Sequence, residues 1–181
     1  MDVSGTQVPY GALVLATAML VAHGLEGVLG CRKWCSEHLD FTGDALLHGK
    51  LWVMFSSSFL HGTHSHFLRE AFLMILAGVP LEVEIGTWFF VVVFLICGAV
   101  GCSCSWLTLR WTLRRNPDFS QMPREHVDAI ANLSNSRGAS ACVYGIAVLA
   151  VLLVGDRGLA QFFGISPETA NGLLLAARFI P

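Results

Sequence analysis

Phe59-Leu60-His61-Gly62-Thr63-His64-Ser65-His66-Phe67-Leu68-Arg69-Glu70 puts three imidazoles and a charge pair at the head of an apolar run that continues to Val79. Polar groups at membrane depth are costly, so they turn toward a protein interior or a cavity and often mark a functional site. The stretch therefore reads as the polar start of a membrane span packed among other spans. The rest of the composition agrees. With 54% apolar and 13% charged residues and a mean hydropathy of +0.62, the chain is no ordinary soluble globule. A net charge of -2 gives no electrostatic footprint for nucleic acid or for an acidic partner.

Working outward, hydropathy marks about five spans. The first is Tyr10 to Leu29, interrupted by His23 and Glu26. It follows Met1 to Pro9, which lack Lys and Arg, so it reads as a true span rather than a secretory or transit leader. The second is Phe59 to Val79, with Pro80-Leu81-Glu82-Val83-Glu84 expected as the turn after it. The third, Gly86 to Leu109, is free of charge and exceeds the roughly 20 residues that cross a bilayer core. The polar segment Arg110 to Arg137 contains the turn signal Asn116-Pro117-Asp118. The fourth span is Gly138 to Val154, ended by Gly155-Asp156-Arg157-Gly158. Ser166-Pro167-Glu168 then reads as the start of a fifth helix over 170–181.

Basic residues orient these spans. The first connection carries Arg32, Lys33 and Lys50, and the third carries Arg110, Arg114, Arg115, Arg124 and Arg137. The positive-inside rule puts both on one face, the cytoplasm or a mitochondrial matrix. Six cysteines show no disulfide framework, and those in the spans (Cys97, Cys102, Cys104, Cys142) pack as small hydrophobes. For Cys31 and Cys35 three readings stand: a bonded pair, a metal site or free thiols. Three imidazoles within six residues also suit zinc. On one helix, however, His66 would point about 140° from His61, so no metal is expected.

His61 followed by His66, then Leu81-Glu82 and Gly86, then Gly138-Ala139-Ser140 with Tyr144, together resemble the core of the rhomboid family of intramembrane serine proteases. The likeness spans the first to the fourth apolar segment. It implies an all-α polytopic transmembrane bundle, here one domain over 1–181 with about five membrane helices and the family's sixth helix missing. It also implies that Ser140 stands at the nucleophile position, with Tyr144 packed beneath the family's catalytic His and His66 among the oxyanion donors. Small residues fit close helix approach: Gly138, Ala141 and Gly145 in the fourth span, and Gly98, Gly101 and Ser105 in the third.

Three departures bear on catalysis. Glu70 stands where the family has an oxyanion-binding Asn, and an ionised carboxylate only accepts. The family's Trp-Arg pair is Trp52-Val53 here. The last histidine is His126, so no imidazole after Ser140 is expected to take its proton. The function so implied is a catalytically inactive, rhomboid-like structural subunit binding membrane lipids and other membrane subunits, with no cofactor. A mitochondrial inner-membrane member with inverted orientation fits the basic connections. The alternative is a truncated copy of an active intramembrane endopeptidase. His66 is expected near Glu70. Arg69 either pairs with Glu70 or reaches another carboxylate. The third connection is either an anionic-lipid contact or a solvated loop, and Glu82 and Glu84 are expected to cap the next helix.

Overall fold

A computed structural model describes residues 9–155, 160, 165–166, 168–169 and 172. The first apolar run forms α1, Tyr10–Leu29, stopped by Gly30 at φ 60°. A left-handed residue just past the last turn is the usual glycine stop. The first connection is mostly structured: α2 (Arg32–His38), β1 (Phe41–Thr42), α3 (Gly43–Leu47) and α4 (Val53–Ser56) follow one another. A 3-10 turn, Ser57–Phe59, carries the chain to Leu60, which is extended.

The second apolar run differs from its expected bounds. Its helix α5 starts at His64, where Thr63 caps by accepting from His66 N (3.2 Å), and runs to Leu73. A π-helical turn over Met74–Gly78 leads straight into α6, Val79–Ile85. Pro80-Leu81-Glu82 is therefore helix and not a turn. Proline lacks an N–H and crowds the carbonyl four residues back. The widened turn lies just before Pro80 and accommodates that defect within a continuous helical run. The reversal comes at Gly86, φ 84°.

The third run forms α7, Thr87–Arg115, six residues beyond the expected Leu109. At 1.5 Å per residue its length is about 43 Å, against a hydrocarbon core of about 30 Å, so its basic end projects. The Asn116 side chain accepts from Asp118 N at 2.9 Å and turns the chain there, as expected. The following segment is not a loop, because Arg124–Leu133 forms the amphipathic helix α8. Asp128 on α8 accepts from Arg114 Nε at 2.7 Å and also from Arg110, both on the projecting end of α7. β2, Asn135–Ser136, pairs antiparallel with β1, which puts the two long connections on one face, the side-by-side placement the basic residues called for. α9, Ser140–Leu153, follows. The expected fifth helix over 170–181 falls outside the described residues, except at 172. Its expected start is seen: Ser166 Oγ accepts from Thr169 N at 3.1 Å.

Phe90 and Phe94 of α7, Met19 of α1, Leu73, Met74 and Leu81 of the second run and Ile146 of α9 are fully buried in one core. α7 and α9 pack most extensively, through the glycines named from sequence. A Cβ on Gly98 would lie 2.8 Å from Cys142 Sγ, one on Gly145 2.5 Å from Cys97 Sγ, and one on Gly101 would overlap Ala141. Ser105, grouped with them, is exposed instead. Among the described residues, α1 and α7 are long and apolar enough to cross a membrane, and α9 is shorter but apolar.

Candidate functional site

The loop into α9 sets the site. Gly138 has φ +114°, and its N–H donates to Ser57 O at 2.9 Å. A Cβ there would sit 2.6 Å from His66 Cε1, so both the backbone angle and the neighbouring ring require glycine. Ser140 begins α9, where the first-turn N–H groups of any helix lack intrahelical partners.

Ser140 Oγ lies 2.8 Å from His66 Nε2 and 2.7 Å from Glu70 Oε1. His66 Nε2 is itself 3.1 Å from that oxygen. No imidazole follows Ser140 in the sequence, as read above, but an earlier one lies beside its hydroxyl. The ring comes from His66, 74 residues earlier, which sequence had assigned to the oxyanion side. The expected proximity of His66 and Glu70 holds.

The three atoms close a triangle. In a serine relay, opposite nitrogens of the imidazole take serine and carboxylate; here one nitrogen meets both. Donor and acceptor valences then assign the hydroxyl proton. An ionised Glu70 only accepts, so Ser140 O–H donates to Glu70, while the role of His66 Nε2 toward both follows the tautomer of its ring. Arg69 adds a donor to the same oxygen at 3.3 Å, the first of its two expected partners. Glu70 is fully buried, and its Oε2 has no hydrogen-bond partner among the described residues. Tyr144 is half-buried against the main core, one turn along α9.

The other two histidines of the opening stretch go elsewhere. His61 precedes α5, so a single helical wheel does not describe the three rings. It is fully buried, with its ring 5.5 Å from that of His66. His64 meets His23 of α1, Nδ1 to Nε2, at 2.8 Å. Among the described residues no group of three ligating side chains converges for a metal ion.

Sequence reading missed the brace beside the site. Arg137 donates from NH2 to Asp40 Oδ2 at 2.7 Å, from Nε to Oδ1 at 2.9 Å, and from NH1 to Glu26 Oε1 at 3.2 Å. It ties α1 and the first connection to the residue before Gly138. The available signal was Glu26, a carboxylate inside an apolar run with a cation due somewhere nearby. Glu82 was expected to cap the next helix. Instead its carboxylate caps α1, accepting from Gly11 N and Ala12 N, each at 2.7 Å. Its bond to the following helix is through a side chain, Thr87 Oγ1 at 2.6 Å. Glu84 is exposed.

Compared with known families, residues 48–179 match the Rhomboid domain, well over half of the chain. No curated protein and no solved structure matches.

Proposed function

The chain belongs to the rhomboid family and is an integral membrane protein, and from that premise we propose that it is a non-proteolytic member, a structural subunit that binds lipid and partner subunits. One observation carries this: Glu70 Oε1 accepts the Ser140 hydroxyl at 2.7 Å, at the position where the family resemblance calls for an oxyanion donor. An oxyanion forming beside Ser140 would meet a carboxylate. Two unit charges about 4 Å apart at an effective dielectric of 20 repel by about 4 kcal/mol. The lost donor adds roughly 3 kcal/mol. Together they slow acyl transfer by about five decades. The serine serves instead as a clasp between α5 and α9.

A second reading, an active intramembrane endopeptidase, is favoured by the 2.8 Å contact between His66 Nε2 and Ser140 Oγ. Fluorophosphonate labelling of the full chain in mild detergent separates the two, with Ser140→Ala as the blank. A clasped serine stays unlabelled, whereas Ser140-dependent labelling of the native chain establishes an activated nucleophile and overturns the structural role.

Lipid contact is supported by exposed apolar side chains such as Trp88 (84%) and Phe89 (72%) at the start of α7. Three of the five arginines of the third connection are taken by Asp128 and Asp40; Arg124, and Arg115 stacked over the Trp111 ring at 4.2 Å, have no acidic partner among the described residues and suit anionic headgroups. The partner-subunit role is tested by sizing after gentle solubilisation; a lone, stable monomer refutes it. Residence in the mitochondrial inner membrane, with the long connections in the matrix, is part of the same proposal. Localisation of the tagged chain tests it.

A further inference from the structure

Cys31-Arg32-Lys33-Trp34-Cys35 forms the head of α2 and has no part in the proposed function. Cys31 is the N-cap of that helix, with φ -85° and ψ 16°, outside helical geometry. Its sulfur stands 3.7 Å from that of Cys35, and both are free thiols. Cys31 is half-buried, while Cys35 is 6% exposed. The two thus differ in access, Cys31 being the more exposed residue and Cys35 the buried one beside it. That is the arrangement of an attacking thiol and a resolving one.

We propose that Cys31 and Cys35 form a reversible dithiol–disulfide site whose oxidant is a small-molecule disulfide of the glutathione type. The Cys31 thiolate attacks one sulfur of the small disulfide. A mixed disulfide forms on Cys31, the reagent's S–S bond breaks, and the first small thiol leaves after taking a proton. Cys35 then gives up its proton and attacks Cys31 Sγ. The Cys31–Cys35 bond forms and the second small thiol departs. Two protein thiols are oxidised and one small disulfide is reduced to two thiols, so electrons and protons balance.

The inner position of Cys35 fits the resolving role. Burial first, and the hydrogen bond with Cys31 second, push its thiol up to about 11, so the first attack on the small disulfide falls to Cys31 and not to Cys35. The bridge costs some geometry. Cβ atoms four apart on a helix are about 5–6 Å apart, wider than the ~3.5–4.5 Å of a disulfide. Cys31, as the cap, is the residue that must move. A bridge formed against that resistance is readily reduced, the property of labile regulatory disulfides.

Movement there has a consequence for the site. Arg32, next to Cys31, donates to Gly62 O at 2.7 Å and to His61 O at 3.4 Å, holding the loop that leads into α5 and His66. Oxidation therefore loosens the entry to the Ser140 clasp, whether or not that serine is catalytic.

The test treats the full chain in mild detergent with oxidised and then reduced glutathione, followed by thiol alkylation and peptide mapping. The expected result is loss of both thiols of the 31–35 peptide in the oxidised buffer and their return in the reduced one. Cys35→Ser should stop at a glutathione adduct on Cys31. Two alkylated thiols after oxidised glutathione, or an adduct that persists on Cys31 in the unaltered chain, would overturn the site. Hydrogen exchange over Gly62 to His66 should quicken in the oxidised chain and stay unchanged in Cys31→Ser treated alike. Equal exchange in both would overturn the link to the loop.

Discussion

Glu70 and Glu82 lie twelve residues apart on one helical run, and both are fully buried, yet they do opposite things. Glu82 uses both oxygens: Oε1 takes Gly11 N and Thr87 Oγ1, and Oε2 takes Ala12 N. It meets the orphan donors at the start of α1, where an anion also suits the helix dipole. Glu70 gathers His66, Arg69 and Ser140 on Oε1 and leaves Oε2 without a partner among the described residues. A buried carboxylate with a donor on each oxygen is an anchor. One with an oxygen left over has been fitted into a site of another shape, which is what a carboxylate in an amide's position would produce.

The largest expected effect follows from deleting the anchor. Glu82→Ala strands two buried backbone donors at about 2 kcal/mol each, so thermal unfolding in detergent should show a loss of about 4 kcal/mol. Glu82→Gln tests whether both oxygens matter. The amide turns one acceptor into a donor facing an N–H, at a cost of about 2 kcal/mol. If it proves neutral, the contrast with Glu70 fails.

Next comes packing. Gly101→Val forces α7 away from Ala141 of α9 at about 1–3 kcal/mol, as overpacking does. It should open the Ser140 clasp while Glu82 keeps its partners, which hydrogen exchange at Gly11 and Ala12 would report. Smaller still is Glu70→Gln. The retained carbonyl keeps the Ser140 bond and the new NH2 occupies the place of an unpartnered oxygen, so the melting point should move by less than the equivalent of about 1 kcal/mol. A drop as large as that of Glu82→Gln would make the two carboxylates equals.

The smallest effect is one of pH, outside the bilayer. Hydrogen bonds from Arg110 and Arg114, aided by their charges, hold the Asp128 carboxyl below the ordinary carboxylate range. Its folded value being depressed, the stabilisation of α8 on α7 is complete above the unfolded value of ~3.9 and is lost as pH falls from there through the folded one. Fluorescence of Trp106 and Trp111 should stay level from neutrality to about pH 4 and change only below it. Asp128→Asn should remove that transition.

Much of the fold was legible because membrane spans announce themselves locally. Runs of apolar residues placed α1, α7 and α9 within a few residues, and the basic residues placed both long connections on one face, where β1 and β2 now join them. Pro80 misled, because a proline normally ends a helix and the π-turn that rescues it has no sequence mark. α8 was hidden by its charge, which reads as a loop until Asp128 is seen beside Arg110 and Arg114. Ser140, His66 and Glu70 were each singled out from sequence but the bonds among them were not, and Tyr144 lies against the main core with no bond to them among the described residues.

Residue order and type alone determined that this chain lives in a bilayer and that it resembles the rhomboid family, a resemblance that implies an amide where Glu70 stands, since hydropathy and motif spacing are properties of the linear chain. The contact between Ser140 and His66, the capping of α1 by Glu82 and the clamp of Arg137 on Asp40 and Glu26 were decided only by the tertiary structure. Each joins groups some 70 residues apart or more, and which of several possible partners a buried polar group finds depends on how the helices pack, not on where it stands in the sequence.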